Sequence, residues 1–290
     1  MIVLSHYELR PLLAHRPPPA TPDTQYAISS THPLSPDLGL TQVTVNLTDH
    51  GITFPTGETV SWHAIEEIVR QENKCYYYED DGLTEVRVFS EVTGRVCSLY
   101  PTGGAPTMII GGFSMHRIKG SDPHADTLEK VKAASPIVGR VLDTTTGLGY
   151  TAIEAARSSL CLNLTTIELD PASIEIARHN PWSQELFTNP RITQLIGDSY
   201  DLIQTFPDAS FARIIHDPPT FSLAGQLYSG EFYRQCHRVL STGGLLFHYI
   251  GNLESGSGNQ VSKGAIRRLK EAGFTRVVPR PQAFGVVAYR

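Results

Sequence analysis

From Thr41 to Leu47 polar and apolar residues alternate one by one, the period of a half-buried strand, and Asp49-His50-Gly51 follows as a turn signal. Ile52-Thr53-Phe54 and Thr59-Val60-Ser61-Trp62 read as further short strands joined through Thr56-Gly57-Glu58. His63 to Arg70 then switches to helical spacing, with Ile65, Ile68 and Val69 as its apolar stripe. Lys74 to Tyr78, Glu85 to Ser90 and Val96 to Tyr100 return to strand character, separated by Asp80-Asp81-Gly82 and Thr93-Gly94. Residues 41–112 thus read as a small, mainly antiparallel β unit with one helix. Upstream of it, Pro17-Pro18-Pro19 and the Ser/Thr/His/Pro mixture from Ser29 to Pro36 show little periodicity. Residues 1–40 therefore read as an irregular N-terminal arm.

A connecting segment, 113–139, carries one helix over Pro123–Ala133. Beyond it the pattern changes: apolar runs end in polar loops and alternate with helical stretches, as in a parallel α/β sheet. The expected strands are Gly139–Asp143, Asn163–Leu169, Arg191–Gly197, Phe211–His216, Gly244–Ile250, Thr275–Pro279 and Gly285–Tyr289. Residues 140–290 form the second expected domain.

Composition bounds the reading. With 40% hydrophobic and 18% charged residues the 290-residue chain is an ordinary globular one. Its net charge of −5 offers no long-range positive field for nucleic acid, so such a partner would need a local patch. Arg267, Arg268 and Lys270 could supply one, or form a plain solvated face. Cys75, Cys97, Cys161 and Cys236 are scattered, without C-x-x-C pairs or metal spacing, so reduced buried thiols and no metal are expected. With no charged leader and no apolar run of spanning length, a cytoplasmic protein without a membrane partner is the expectation.

Four strand ends carry the candidate chemistry. Asp143-Thr144-Thr145-Thr146-Gly147-Leu148-Gly149 leads from a strand into a helix; its glycines allow positive φ and close approach of a ligand to backbone N–H groups. Taken alone, Gly147-x-Gly149-x-x-Ala152 also fits a dinucleotide fingerprint, and hence an NAD-dependent oxidoreductase. Glu168, about twenty residues on, stands where a carboxylate accepts ribose hydroxyls. Asp170 is the better N-cap for the helix Pro171–Arg178. Asp198 has two readings, an acceptor for an adenine amino group or a cap on the helix near Tyr200–Thr205. After the fourth strand, Asp217-Pro218-Pro219-Thr220-Phe221 makes a stiff turn that presents Asp217 where ligands bind in such sheets.

These four motifs, in this order, resemble class I (Rossmann-like) S-adenosylmethionine-dependent methyltransferases. The resemblance implies a doubly wound seven-stranded sheet with its last strand antiparallel, behind a small mainly-β domain. It implies that Asp143, Thr146, Gly147 and Gly149 cradle the methionine part of S-adenosylmethionine, Glu168 the ribose, and Leu169 and Asp198 the adenine. Asp217, Pro218, Pro219 and Phe221 resemble the D/N-P-P-Y/F active-site turn of N-methyltransferases; Thr220 displaces the aromatic residue by one.

A finer match is to a group of predicted methyltransferases found mainly in archaea. It runs through Asn180-Pro181-Trp182-Ser183, His216–Leu223, Leu227–Tyr233, Phe247–Gly251 and Gly112–Arg117. Leu227–Tyr233 is also similar to spermidine synthases, which carry a small N-terminal β unit and transfer an aminopropyl group. Their acidic residue in the glycine loop is Tyr150 here.

Met115, His116 and Arg117 are substrate-side candidates, weighed against surface decoration. His216 and His248 read as proton shuttles or, more simply, as satisfied buried histidines. Tyr228, Phe232 and Tyr233 read as core. The acceptor stays open among a small amine, an RNA base and a protein side chain. An exposed β-edge within 41–112 offers a route to a homodimer.

Overall fold

A computed structural model describes residues 1–18, 30–79, 82–251 and 256–290, the last including only the backbone of 256–261. Two units divide the chain, Met1–Pro123 with Glu175–Trp182, and His124–Ile174 with Ser183–Arg290.

The first unit holds three antiparallel sheets. Ser30–Leu34, Val43–Leu47, Gly51–Thr53 and Thr59–Ser61 form a four-stranded meander. Arg87–Ser90, Arg95–Tyr100, Thr107–Ile110 and Phe113–Ser114 form another. Val3–Leu4, Tyr76–Glu79 and Gly82–Glu85 form the third. The helix Trp62–Arg70 starts on Ser61, whose hydroxyl accepts from the Ala64 N–H, and buries Trp62, Ile65 and Ile68. The segment expected as one strand from Glu85 to Ser90 is two, in different sheets, with buried Val86 between them. Asp80 and Asp81 of the expected turn lie outside the described residues.

The N-terminal arm corrects the expectation of irregularity. Val3–Leu4 pairs in a sheet, and a one-turn helix, His6–Leu9, follows. That helix opens on a capping box: the Tyr7 N–H donates to Ser5 Oγ at 3.2 Å, and the Ser5 N–H to Glu8 Oε2 at 2.8 Å. A 3₁₀ turn completes it over Arg10–His15, and Leu4, Leu9 and Leu12 are buried in the unit's core with Val45, Leu47 and Ile65. Apolar burial, rather than periodicity over such short pieces, holds this segment in place. Pro19 and Ser29 of that reading lie outside the described residues.

The second unit is built on one seven-stranded sheet: β1 Gly139–Asp143, β2 Cys161–Glu168, β3 Ile192–Ile196, β4 Phe211–His216, β5 Leu240–Tyr249, β6 Arg276–Arg280 and β7 Gly285–Tyr289. The order is β3-β2-β1-β4-β5-β7-β6, with β7 antiparallel to both neighbours. This is the expected doubly wound fold. Asp143 lies in register with Thr166 of β2 and Ile215 of β4, so the central strands end together. Among the described residues, the helices from Pro123 onward are α1 Pro123–Ala133, α2 Tyr150–Ala156, α3 Pro171–Arg178, α4 Gln184–Thr188, α5 Ser199–Thr205, α6 Phe221–Ala224, α7 Gly230–Val239 and α8 Gly256–Glu271. Phe232, Tyr233, Cys236 and Val239 give α7 an apolar face against Leu246, Ile214 and Leu269. All four cysteines are buried, and none is in a disulfide among the described residues. Among the described residues no helix is long and apolar enough to cross a membrane.

Candidate functional site

The carboxyl ends of β1, β2, β3 and β4 carry the acidic residues singled out in the sequence. Asp143, at the end of β1, is fully buried; Oδ2 accepts from the Thr166 hydroxyl at 2.7 Å, and that hydroxyl lies 2.7 Å from Thr146 Oγ1. Oδ1 of Asp143 is buried with no hydrogen-bond partner among the described residues. Burial pushes this carboxyl up to about 7, against the pull of the Thr166 hydroxyl. An acceptor at a strand end with no partner among the described residues suits a donor from a ligand.

Glu168 is shared between two loops. Oε2 accepts the Gly147 N–H at 2.8 Å and Oε1 the Asp170 N–H at 3.0 Å, so the carboxylate ties the glycine loop to the end of β2. Burial lifts it to about 7 as well, with those N–H groups opposing. It does not cap α3; Asp170 does, accepting the Ala172 N–H at 2.9 Å. Gly147 and Gly149 take positive φ, +54° and +79°, for different reasons. A Cβ on Gly149 would sit 2.7 Å from Leu186, whereas one on Gly147 would point into open space. The open side of Gly147 is where a ligand can approach the backbone.

Asp198 caps α5, accepting the Tyr200 N–H at 2.8 Å, so the capping reading describes its Oδ1. Beside these carboxylates, Leu169 and Ile196 are 44% and 53% exposed at the ends of β2 and β3. Two large apolar side chains left uncovered between acidic groups suit a flat heteroaromatic ring with polar edges. The orphaned Asp143 oxygen, the open glycine backbone and this apolar pair together fit S-adenosylmethionine.

The turn after β4 is fixed from three sides. The Thr145 hydroxyl donates to Asp217 O at 2.8 Å, Tyr228 OH donates to Pro219 O at 2.9 Å, and Lys130 Nζ of α1 lies 2.7 Å from Asp217 Oδ2. Lys130 is 2.8 Å from Asp126 Oδ2 one helical turn earlier, and its ammonium stands 4.6 Å from the centre of the Tyr249 ring. Burial works against the Lys130 charge, but Asp217 and Asp126 outweigh it and hold the amine well above its ordinary value. Phe221 is 58% exposed and meets Tyr228 edge-on, ring centres 5.6 Å apart.

His216 and His248 are fully buried. His216 Nδ1 lies 2.7 Å from the Thr144 hydroxyl and Nε2 3.0 Å from Leu227 O, a pattern that satisfies a neutral ring with its proton on Nε2. Desolvation drives its pKa down to about 3. His248 Nε2 pairs with Tyr233 OH at 2.8 Å, and Phe232 and Tyr233 belong to the core. Neither imidazole is available as a proton shuttle.

Met115, His116 and Arg117 belong to the first unit, where they are half-buried and His116 Nδ1 lies 3.0 Å from Thr107 Oγ1. The structure thus gathers Asp143, Thr146, Gly147, Gly149 and Glu168 into one hydrogen-bonded loop cluster. Asp217 joins it through Thr145. Asp198 joins through α5, whose Ser199 hydroxyl donates to Thr144 O. Sequence reasoning missed Lys130 and Asp126, for which the i, i+4 spacing on the expected helix was the available signal.

Residues 110–257 match the methyltransferase small domain family. An uncharacterised protein of Methanocaldococcus jannaschii is 42% identical over 82% of this chain and 80% of its own. The chain belongs to that methyltransferase family. Its cofactor is S-adenosylmethionine. The methyltransferase is also similar to polyamine aminopropyltransferase 2 of Streptomyces coelicolor, 27% identical over 60% of this chain and 31% of that one. Spermidine synthase from Thermotoga maritima superposes on 70% of each chain with a TM-score of 0.56 and 20% identity. A spermidine synthase in complex with the transition-state analogue AdoDATO superposes with a TM-score of 0.58, also at 20% identity, over 70% of this chain and 71% of that one. At that identity the likeness is one of fold.

Proposed function

We propose that this methyltransferase moves a methyl group from S-adenosylmethionine to an acceptor nitrogen held at the Asp217-Pro218-Pro219 turn. The observation that carries the reading is the anchoring of that turn. The backbone oxygens of Asp217 and Pro219 and one carboxylate oxygen are already committed, and Asp217 Oδ1 makes no hydrogen bond among the described residues. A carboxylate oxygen fixed in direction and still able to accept is suited to orienting an N–H bond.

The cofactor, when bound, supplies an electrophilic methyl on a sulfonium centre. Asp143 Oδ1 would receive its ammonium, Glu168 its ribose hydroxyls, and Gly147, Gly149 and Thr146 would shape the loop around the methionine part. Leu169 and Ile196 would cover the adenine, with Asp198 accepting from its amino group. At the acceptor, Asp217 Oδ1 would take the N–H and aim the nitrogen lone pair. Asp217 would also stand beside the positive charge that the acceptor nitrogen gains on methylation, until that nitrogen loses its proton to solvent. Strong base character is not required. Phe221, exposed at the same turn, would stack on a planar acceptor.

The superposition on spermidine synthases favours a second reading, aminopropyl transfer from decarboxylated S-adenosylmethionine. The orphaned Asp143 oxygen separates the two only in part, because both cofactors carry an amine. Incubation with methyl-labelled S-adenosylmethionine and an extract, beside the decarboxylated cofactor and a polyamine panel, tests them directly. Label in a product, lost in Asp217→Ala while S-adenosylhomocysteine still binds, supports methyl transfer. Polyamine lengthening without methyl incorporation would replace it by the second reading.

A further inference from the structure

α1 puts its polar side inward. Asp126, Thr127 and Lys130 are buried while Leu128 is 44% exposed, the reverse of what apolar burial alone would select. A buried ammonium is costly unless its partners compensate, and here two carboxylates do, at 2.7 and 2.8 Å. A helix that accepts such a cost on the side nearest the turn after β4 does so for what the ammonium holds.

We infer that Lys130 is a positioning residue for the transfer step: its ammonium clamps Asp217 Oδ2, so that Oδ1 alone faces the acceptor nitrogen. This rests on the reading of Asp217 given above. The consequences follow from geometry. A carboxylate free to rotate would offer either oxygen over a range of directions, whereas one pinned at Oδ2 and, through its backbone oxygen, at Thr145 presents a single lone-pair direction. Asp126 holds Lys130 from behind, and the Tyr249 ring covers the ammonium. The charged and titratable groups that bear on Asp217 are Lys130, Asp126, Asp143 and the Tyr228 hydroxyl, of which only Lys130 favours its ionised form. Burial already raises the Asp217 carboxyl, and removing Lys130 would leave it unanchored, with nothing to oppose that rise.

The test uses full-length Lys130→Met and Lys130→Arg with two readouts. The first is the Asp217 side-chain carboxyl resonance in protein carrying ¹³C-aspartate, identified by its loss in Asp217→Asn and followed from pH 5 to 9. The second is labelled methyl transfer into extract at saturating S-adenosylmethionine. S-adenosylhomocysteine affinity serves as the check that each variant is folded. Lys130→Met should raise the carboxyl titration above that of the wild type and lower turnover by about 100-fold. The KM for S-adenosylmethionine should stay within about threefold, since its proposed contacts are on other strands. Lys130→Arg should leave the carboxyl titration near that of the wild type and retain part of the turnover, and it stands in where Lys130→Met does not fold. An Asp217 titration unmoved in Lys130→Met, or full turnover in that variant, overturns the inference. A wild-type protein that binds S-adenosylhomocysteine yet transfers no methyl would count against the functional reading alone, the carboxyl titration still deciding the clamp.

Discussion

Two carboxyls at neighbouring strand ends, Asp143 and Glu168, are pushed by burial to about 7, so the roles proposed for them in holding the cofactor would make its binding a titration. In the unfolded chain such groups titrate near 4. Between about 4 and 7 the folded protein without cofactor therefore binds more protons than the unfolded one. The contribution of these two groups to stability is fully present at low pH and is lost as pH rises towards 7. Binding has the opposite sign, because an ammonium or a hydroxyl donor needs the ionised form. The affinity for S-adenosylhomocysteine should rise with pH and level off above about 8; between pH 7 and 6 it should fall by up to about tenfold for each carboxyl involved. Calorimetric titration from pH 5.5 to 8.5 checks this, and Glu168→Gln should remove one proton from the slope. A flat profile would remove both carboxyls from the cofactor site. The two glycines separate in the same assay. Gly147→Ala should cost about 1 kcal/mol of stability, from its φ of +54°, and lower affinity further by filling the open approach. Gly149→Ala meets Leu186 at 2.7 Å, so its loss should be mainly in denaturant midpoint, about 1–3 kcal/mol.

Strands of the parallel sheet were legible because burial on both faces gives apolar runs, and because each run ends in a loop with chemistry in it. β1, β4 and β7 coincide with the expected spans, and the carboxylates at the ends of β1, β2, β3 and β4 followed from those strand ends. Less was legible where elements are short. A four-residue helix and a two-residue strand have no periodicity to read, so the N-terminal segment passed for an irregular arm; only the Ser5-x-x-Glu8 spacing marked it. Ser5→Ala should therefore cost about 1 kcal/mol in the urea midpoint, and no change would mean the capping box is incidental. α1 was placed correctly from its pattern, but its buried polar side was not legible there. Asp126 and Lys130 at i, i+4 were not singled out in the sequence, and only the three-dimensional path of the helix shows that this pair is buried against the end of β4. Partners far apart in sequence, such as Lys130 and Asp217, leave no local trace.

At the scale of the molecule, every residue proposed to hold the cofactor, from Asp143 to Asp217, lies within His124–Ile174 or Ser183–Arg290. The core around Leu4, Leu9, Leu12, Val45 and Trp62 belongs to the other unit. Stability and cofactor affinity should then respond to different substitutions. Leu12→Ala empties a fully buried side chain and should cost about 2–5 kcal/mol, as transfer free energy and the cavity left behind add together. Below the temperature at which that variant unfolds, its affinity for S-adenosylhomocysteine should stay within about twofold of wild type. Ligand at about 100 times Kd should add about 2.7 kcal/mol to whichever cooperative transition includes the sheet β1–β7. Scanning calorimetry with and without ligand, on wild type and Leu12→Ala, reads both quantities in one experiment. A ligand-induced shift of equal size in both proteins places binding in the methyltransferase sheet alone. A Leu12→Ala protein that is folded but no longer binds would mean that the first unit takes part in holding the cofactor, and Met115, His116 and Arg117 would be the first residues to substitute.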